Sequence, residues 1–477
     1  MTSSNSSVPL WKPVLFTALA GGLGWGIRGQ YGHETGAMIA GLLVCLTLAL
    51  LFCPDASAAP VVRAVAWGTI AIGFGGSMTY GQTVGLTHDP ELVGHADAWR
   101  WGMLGLAIKG SLWIGFAGAF LGMGLGGVTY RTRELVLVML GLLALSSLGI
   151  WLLNSPFDPA HRVLPKIYFS DDWHWEPGAN LKPRREVWGG FLFALLGLLA
   201  YTRFVRRDPL AAPLGLWTML AGAVGFPAGQ SLQAYHAWHR ADFQTGFWAP
   251  LEPHLNWWNM METTFGTVFG AILGLGLWTL RHRIAVDRTT ARPPSLPVPI
   301  EVCLLIVHVG LLVTVEFFNV PWVERLYDPG LGLGFIPIIA VAGGRWWPLA
   351  VLFPITVIPI AGKTYQNLVL EAHALPVEVG ILVYVVIPVA VCSAAAVLLH
   401  RRVRAGCLAD DVLRPALVLA TWLYFGLNYA FFRFPWPWAT WTVRTPNAIL
   451  FTIAAVGLTA LVWASRRRPF ADPSIAK

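Results

Sequence analysis

Residues 34–53 have the sequence ETGAMIAGLLVCLTLALLFC, and after Glu34 this stretch contains no charged side chain. Because a helix needs about 20 apolar residues to cross the hydrocarbon core of a bilayer, the stretch predicts a membrane span. Similar runs recur along the whole chain of 477 residues. We predict fourteen spans, near 11–27, 35–53, 61–82, 99–127, 134–154, 187–202, 210–235, 256–280, 298–320, 331–342, 346–361, 376–399, 412–432 and 445–465.

The overall composition is typical of a chain that lies mostly in lipid. Hydrophobic residues make up 56% of it and charged residues only 12%, whereas about 25% of a soluble chain is charged. This composition excludes a water-soluble enzyme, a disordered chain and a nucleic-acid-binding protein. The five cysteines are scattered and form no CxxC motif, which favours neither a disulfide nor a zinc site. We therefore predict an all-α polytopic membrane protein with about 13–14 transmembrane helices, whose main partner is the lipid bilayer.

The predicted spans form two regions with no soluble domain. Residues 1–297 are predicted to form four helical hairpins with an outer loop at 155–186, and residues 298–477 are predicted to form about six further spans. The segments 331–342 and 346–361 are short for two ordinary spans, and prolines interrupt them. Since proline breaks helices, this part predicts one broken or re-entrant hairpin.

The short loops indicate the orientation of the chain. Arginines cluster on one side of the predicted topology, near 131–133, 203–207, 281–292, 401–404 and 466–468. Because positively charged loops stay in the cytoplasm, both termini are predicted to face the cytoplasm of an inner cell membrane. Most carboxylates and most of the 12 histidines then lie on the other side, which predicts a polar site that faces the extracytoplasmic space.

Three ascending helices end in a glycine-rich stretch followed by Gly-Gln, and each precedes a descending helix that starts with polar side chains. The pattern is either an internal duplication or a coincidence in a chain with 50 glycines. Its polar groups either cap helix ends or line one outward-open chamber, and three motifs on one side favour the chamber. The residues concerned are Gln30, Glu34, Gln82, Lys109, Gln230 and Glu262.

A dense polar cluster lies between the first two spans. Arg28, Gln30, His33 and Glu34 bring a cation, an amide, an imidazole and a carboxylate close together. Buried charges in membranes are costly and usually paired. The cluster is therefore either an Arg28–Glu34 pair that fixes a hairpin or a substrate-binding edge. In the second case Glu34 is a catalytic base or nucleophile and His33 tunes it.

The predicted outer loop combines tryptophans with charged side chains. Sugar rings need apolar ring faces beside acidic groups that bind hydroxyls, and paired arginines bind anionic groups. The alternative is an interfacial tryptophan belt with solvated charges. We assign Asp171 and Asp172 as reserve catalytic carboxylates, Trp173, His174 and Glu176 as sugar contacts, and Arg184 and Arg185 as an anion clamp.

Other polar groups are predicted near the same side of the membrane. Lys109 lies about 15 Å inside its span, so it needs a partner carboxylate or an anionic ligand. His88 and Asp89 are candidate binding residues without the spacing of metal ligands, and we predict no metal and no cofactor. The remaining binding candidates are Gln230, Gln233, His236, Trp257, Trp258, Asn259, Lys363 and Gln366, with Glu262 as the second catalytic carboxylate.

Two classes of function fit this sequence. Many spans, repeated hairpins and a broken hairpin are typical of a secondary transporter, here for a polar or anionic solute such as a sugar or sugar acid. The polar side chains on one side, with apolar inner halves such as GLLVCLTLALLF, instead favour a membrane-embedded enzyme. We predict an enzyme that acts on a small polar or lipid-linked, carbohydrate-like substrate by glycosyl or other group transfer or by hydrolysis, with transport as the alternative.

Overall fold

The computed structural model describes residues 8–32, 34–170, 172–178, 180–286, 295–318, 320–327, 329–432 and 445–464, and its regular elements are helices. Besides short 3-10 turns, they are α1 (Trp11–Arg28), α2 (Glu34–Phe52), α3 (Ala58–Ser77), α4 (Gly81–His88), α5 (Ala96–Leu125), α6 (Thr132–Leu153), α7 (Asp172–Trp175), α8 (Trp188–Val205), α9 (Ala211–Trp238), α10 (Arg240–Phe243), α11 (Trp257–Arg283), α12 (Val298–Phe318), α13 (Pro321–Tyr327), α14 (Gly330–Gly343), α15 (Trp347–Glu371), α16 (Val377–Arg404), α17 (Ala409–Tyr429) and α18 (Thr445–Ala464).

The predicted all-α polytopic membrane architecture is confirmed. Eleven helices of the described chain are long and apolar enough to cross a membrane, and a twelfth span results if α13 and α14 count as one. The sequence analysis predicted fourteen. The other two predicted spans correspond to α1 and α17, which have a suitable length but are less apolar because glycine and polar side chains interrupt them.

The broken helix lies one element earlier than the predicted hairpin. Helix α13 and the short helix α14 are bent by 64° relative to each other. The predicted segment 346–361 instead belongs to the 25-residue helix α15. Its Pro354 lies within a wider π-type turn at Val351–Ile355, and such a turn removes the hydrogen bond that a proline cannot donate.

Glycines let four central helices approach closely. Helices α1 and α11 cross where a Cβ atom on Gly21 would lie 2.2 Å from the carbonyl oxygen of Gly266, and the reverse distance is also 2.2 Å. Helices α5 and α9 cross in the same way, because a Cβ on Gly222 would lie 2.0 Å from the carbonyl oxygen of Gly110. In a membrane, where lipid tails are as apolar as side chains, this close packing holds helices together.

The two ends of the helix bundle carry different groups. The end that we call the Glu34 end contains the α1–α2 turn, the start of α11 and the described part of loop 155–186. The end that we call the Arg131 end contains the α5–α6 turn and the start of α12. The three Gly-Gln motifs and the predicted site lie toward the Glu34 end.

Candidate functional site

A buried ion pair joins the first helix to α11. Arg28 is the last residue of α1 and its Nη1 lies 2.9 Å from Glu262 Oε1, with each side chain only 2% exposed. Arg28 Nη1 also donates a hydrogen bond to the Tyr80 hydroxyl at 2.9 Å. Glu262 Oε1 accepts a second hydrogen bond from Trp258 Nε1 at 3.2 Å. The pair therefore connects three segments that are distant in the sequence.

Aromatic rings surround the guanidinium group. Its Cζ atom lies 5.1 Å from the ring centre of Trp113 and 5.5 Å from those of Trp25 and Tyr80. Ring faces attract a cation, most strongly where water is excluded. The rings and the Glu262 carboxylate together compensate the cost of a buried positive charge.

The local sequence explains how the pair fits between the helices. A Cβ atom on Gly29 would lie 1.9 Å from Glu262 Oε2, so only glycine leaves room for the carboxylate at this position. One turn before Glu262, Asn259 Nδ2 donates to the Gly26 carbonyl at 2.6 Å. The glycine of the first Gly-Gln motif thus leaves space for the Glu262 side chain of α11.

A second buried pair links α5 to the segment before α8. Lys109 Nζ donates to Glu186 Oε1 at 2.5 Å, and the two side chains are 1% and 0% exposed. This carboxylate is the partner that the depth of Lys109 demands. Lys109 Nζ also donates to the Thr79 carbonyl oxygen (2.6 Å) and to Thr83 Oγ1 (2.7 Å). Glu186 also accepts hydrogen bonds from Ser170 Oγ (2.9 Å), Phe169 N (3.1 Å) and Trp188 Nε1 (3.1 Å).

Next to these pairs lies a cavity of about 720 Å³, which we call the Glu34 cavity. Its charged lining residues are Glu34, Arg184, Glu324 and Arg325. The volume is within the range of small-molecule sites. Its other polar or aromatic lining residues are Ser77, Thr79, Tyr80, Ser146, Ser147, Phe191 and Trp258.

The ion pairs position walls of the Glu34 cavity. Tyr80 and Trp258 line the cavity and also bind the Arg28–Glu262 pair. Thr79 lines the cavity, and its carbonyl binds Lys109. The buried charges therefore lie directly behind the cavity and determine its shape.

One wall of the Glu34 cavity is formed by a peripheral helix. Leu143, Ser146, Ser147 and Ile150 of α6 line it, and this i, i+3, i+4, i+7 spacing is one helix face. The face extends about 10 Å along the helix axis. Only 22% of the membrane-length window of α6 is buried. The cavity thus combines charged groups with a wall of two serines and two aliphatic side chains on a peripheral helix.

The described part of the outer loop packs on α4 and α5. Gln82 Nε2 donates to the Lys182 carbonyl at 2.9 Å, and Gln82 Oε1 accepts from Arg184 N at 3.1 Å. His174 and Trp175 line a separate cavity of about 480 Å³ beside Trp101. Elsewhere in the loop, Trp173 faces Arg162 at 5.2 Å, while Glu176 is half-buried and the Arg185 side chain is exposed.

The predicted residues of α9 and the start of α11 form their own contacts. Gln230 Nε2 donates to Thr87 Oγ1 at 2.7 Å, and Gln233 is buried nearby on the same helix. His236 Nε2 lies 2.8 Å from Glu252 Oε1 and its ring stacks on Trp257 at 4.2 Å. Trp257 Nε1 also donates to Glu252 Oε2 at 2.9 Å. These groups stabilise the α9–α11 connection.

The remaining predicted residues lie apart from the Glu34 cavity lining. Gln30 Nε2 donates to Asn367 Oδ1 at 3.2 Å, and Lys363 Nζ lies 3.6 Å from Glu316 Oε2. Gln366 begins a π-type turn in α15. His33, Asp171 and the Asp172 side chain lie outside the described residues.

His88 is the last residue of α4, and Asp89 follows it. His88 Nδ1 is 3.7 Å from Asp89 Oδ1. Partial burial raises the pKa of the Asp89 carboxyl above its ordinary value, while the adjacent imidazole lowers it. Within the described part of the chain, no group of three or more His, Cys, Asp and Glu side chains is arranged to hold a metal ion.

Only one of the six residues predicted to share a chamber, Glu34, lines the Glu34 cavity. The sequence analysis missed Glu324 and Arg325, which line this cavity. They lie on α13, outside every predicted span and every Gly-Gln motif, so no local pattern marked them. The one feature of the sequence that could have indicated them is that two adjacent charged residues precede a proline- and glycine-rich stretch.

Comparison with protein-family models, with curated proteins and with solved structures finds no significant match to this chain.

Replacing Lys109 by Met is expected to lower the free energy of unfolding by about 3–5 kcal/mol, because it leaves the Glu186 carboxylate buried without its cation. The double variant K109M/E186Q should regain most of this loss, since a neutral amide oxygen still accepts from Phe169 N and Trp188 Nε1. Unfolding of the purified protein in detergent micelles measures both. Replacing the exposed Lys182 by Met is the control, and an equal effect of K182M would contradict the structural role of the pair.

Proposed function

We propose that this protein is a membrane-embedded enzyme whose active site is the Glu34 cavity. The observation that carries the proposal is the meeting of two carboxylates and two arginines with aromatic rings in one cavity. These are Glu34, Glu324, Arg184 and Arg325. Acid–base chemistry on a polar substrate needs two carboxylates in different surroundings, and arginines supply anion binding.

The cavity walls support an amphiphilic substrate. Arg184 and Arg325 suit a phosphate or carboxylate group, since guanidinium binds such groups bidentately. Trp258 offers a ring face to a sugar. Leu143 and Ile150 of the peripheral helix α6 suit an acyl or polyprenyl chain entering from the bilayer. The best-supported substrate class is therefore an anionic, lipid-linked carbohydrate.

The chemistry that fits is group transfer or hydrolysis. One of the two carboxylates, Glu34 or Glu324, accepts the proton of an attacking hydroxyl or water, whose oxygen forms the new bond. The other carboxyl donates a proton to the leaving-group oxygen as the old bond breaks. Glu262, which the sequence analysis placed in this pair, is instead assigned a positioning role because it is paired with Arg28 behind the cavity.

We further propose that the Glu34 end faces the extracytoplasmic side of an inner cell membrane. The arginines at the other end favour the cytoplasm. On this orientation the substrate reaches the cavity from the outer leaflet or from the outer aqueous phase.

One specific observation favours transport as the second candidate. A cavity of about 600 Å³ at the Arg131 end shares three of its lining helices, α3, α6 and α14, with the Glu34 cavity. Between the two cavities, Trp67 Nε1 of α3 donates to the Ile338 carbonyl of α14 at 3.1 Å. Two cavities at opposite ends of these three helices resemble the two access routes of an alternating transporter.

Turnover of lipid-linked sugars by the purified protein tests the enzyme. A panel of polyprenyl-phosphate-linked and anionic glycolipids is incubated with the protein in detergent, and products are measured by mass spectrometry. E34Q and E324Q are each expected to lower kcat by at least about 100-fold, because each removes one acid–base group. E91Q is the matched control, since Glu91 is an exposed carboxylate of the same end, and it should retain full activity.

Sealed liposomes separate the two functions. Products that form in detergent and disappear in E34Q support the enzyme. Accumulation of unchanged solute inside liposomes, with no product in detergent, would contradict the enzyme and support the transporter.

Cysteine labelling in intact cells tests the orientation. Asn180 at the Glu34 end and Ala405 at the Arg131 end are exposed, and each is replaced by Cys in a background where Cys303 and Cys407 are Ala. A membrane-impermeant maleimide should label N180C in intact cells and A405C only after permeabilisation. The opposite pattern would reverse the orientation.

A further inference from the structure

The cavity at the Arg131 end, which we call the Arg63 cavity, is unusual in its charge. Its charged lining residues are Arg63, Arg131 and Arg133, and no carboxylate of the described residues lines it. Its volume of about 600 Å³ is within the range of ligand sites. Three guanidinium groups without a described acidic neighbour repel one another, and a bound anion would relieve this repulsion.

Two described carboxylates at the Arg131 end are paired with other cations. Glu134, in the first turn of α6, lies 2.9 Å from Arg206 Nε. Glu301, in the first turn of α12, lies 3.1 Å from Arg345 Nη1. Among the described residues, no ion pair includes Arg63, Arg131 or Arg133.

The position of Arg63 is distinctive, because it lies inside a span. It is the sixth residue of α3 and half-buried, about 7–8 Å from the helix start by helical rise. Its Nε donates to the Val341 carbonyl of α14 at 3.0 Å. This bond directs a fixed guanidinium at the cavity, whereas Arg131 and Arg133 are exposed at the rim.

Two long helices begin at the Arg63 cavity. Thr132 starts the 22-residue helix α6, and Pro297 precedes the 21-residue helix α12. The positive ends of their dipoles add to the field of the arginines. An anion with several acceptor oxygens suits this arrangement better than a carboxylate does, because three guanidinium groups can each donate two hydrogen bonds.

The rest of the lining is apolar. Trp67, Met123 and Ile300 form the side of the cavity that lies within the membrane-spanning helices. We propose that the Arg63 cavity binds a phosphate group, and that a phospholipid head group at the Arg131 end supplies it. Basic pockets between transmembrane helices recognise anionic lipids through this combination of charge and apolar surface. This inference does not depend on the chemistry at the Glu34 cavity.

Native mass spectrometry of the delipidated protein in neutral detergent tests the proposal. Phosphatidylglycerol, phosphatidylcholine and glycerol 3-phosphate are titrated separately against the wild type, R63Q/R131Q/R133Q and R203Q/R207Q/R401Q. The last variant is the control: it removes three positive charges, as the cavity variant does. Its three arginines are exposed at the Arg131 end and do not line the cavity. We expect one tight phosphatidylglycerol site, weakened at least about tenfold in the cavity variant and less than about twofold in the control variant.

The other outcomes are also decisive. Binding of glycerol 3-phosphate with the same arginine dependence would support a phosphate site and identify its occupant as a soluble compound. Equal affinity in all three proteins, or equal losses in the two triple variants, would overturn the proposal. Because Arg131 and Arg133 are exposed, R131Q/R133Q tests the site without altering α3. R63K, which retains the charge and loses the planar fork, should show an intermediate affinity.

Discussion

The buried Arg28–Glu262 ion pair is the interaction on which the Glu34 end depends. Either charge would be strongly destabilising without its partner at this buried position, so each side chain holds the other in place. Through Tyr80 and Trp258 the pair also fixes two walls of the proposed active site. Close packing of α1 on α11 at Gly21 and Gly266 brings the two helices near enough for the contact. The close packing at the glycines and the pairing of the buried charges therefore act together to hold α1 against α11.

Lys109 and Glu186 repeat this arrangement one helix pair away. Both pairs lie beside residues 79–83: Tyr80 bonds Arg28, whereas Thr79 and Thr83 bond Lys109. The short segment before and into α4 thus connects two buried cations and contributes lining to the cavity. Neither pair is assigned acid–base chemistry, because each charge is already matched by its partner. The carboxylates available for chemistry are those at the cavity surface, Glu34 and Glu324.

The sequence predicted the membrane architecture because spans are a local property of about 20 residues. It also singled out Arg28, Glu262 and Lys109, since charges inside apolar runs need partners. It did not identify these partners, because Glu186 lies 77 residues from Lys109 and Glu262 lies 234 from Arg28. Glu324 was missed for the same reason: its proximity to Glu34 depends on tertiary packing. The position of the broken helix was wrong because Pro354 of α15 lies in a π-type turn and the helix continues through Pro359.

A double-mutant cycle on Arg28 and Glu262 tests the central claim most directly. The free energy of unfolding in detergent micelles is measured for the wild type, R28M, E262Q and R28M/E262Q. If the pair organises the Glu34 end, each single variant loses about 3–5 kcal/mol, and the double variant loses less than their sum by at least about 1.5 kcal/mol. Additive losses, with a coupling energy near zero, would contradict the claim that this ion pair holds the helices and the cavity together.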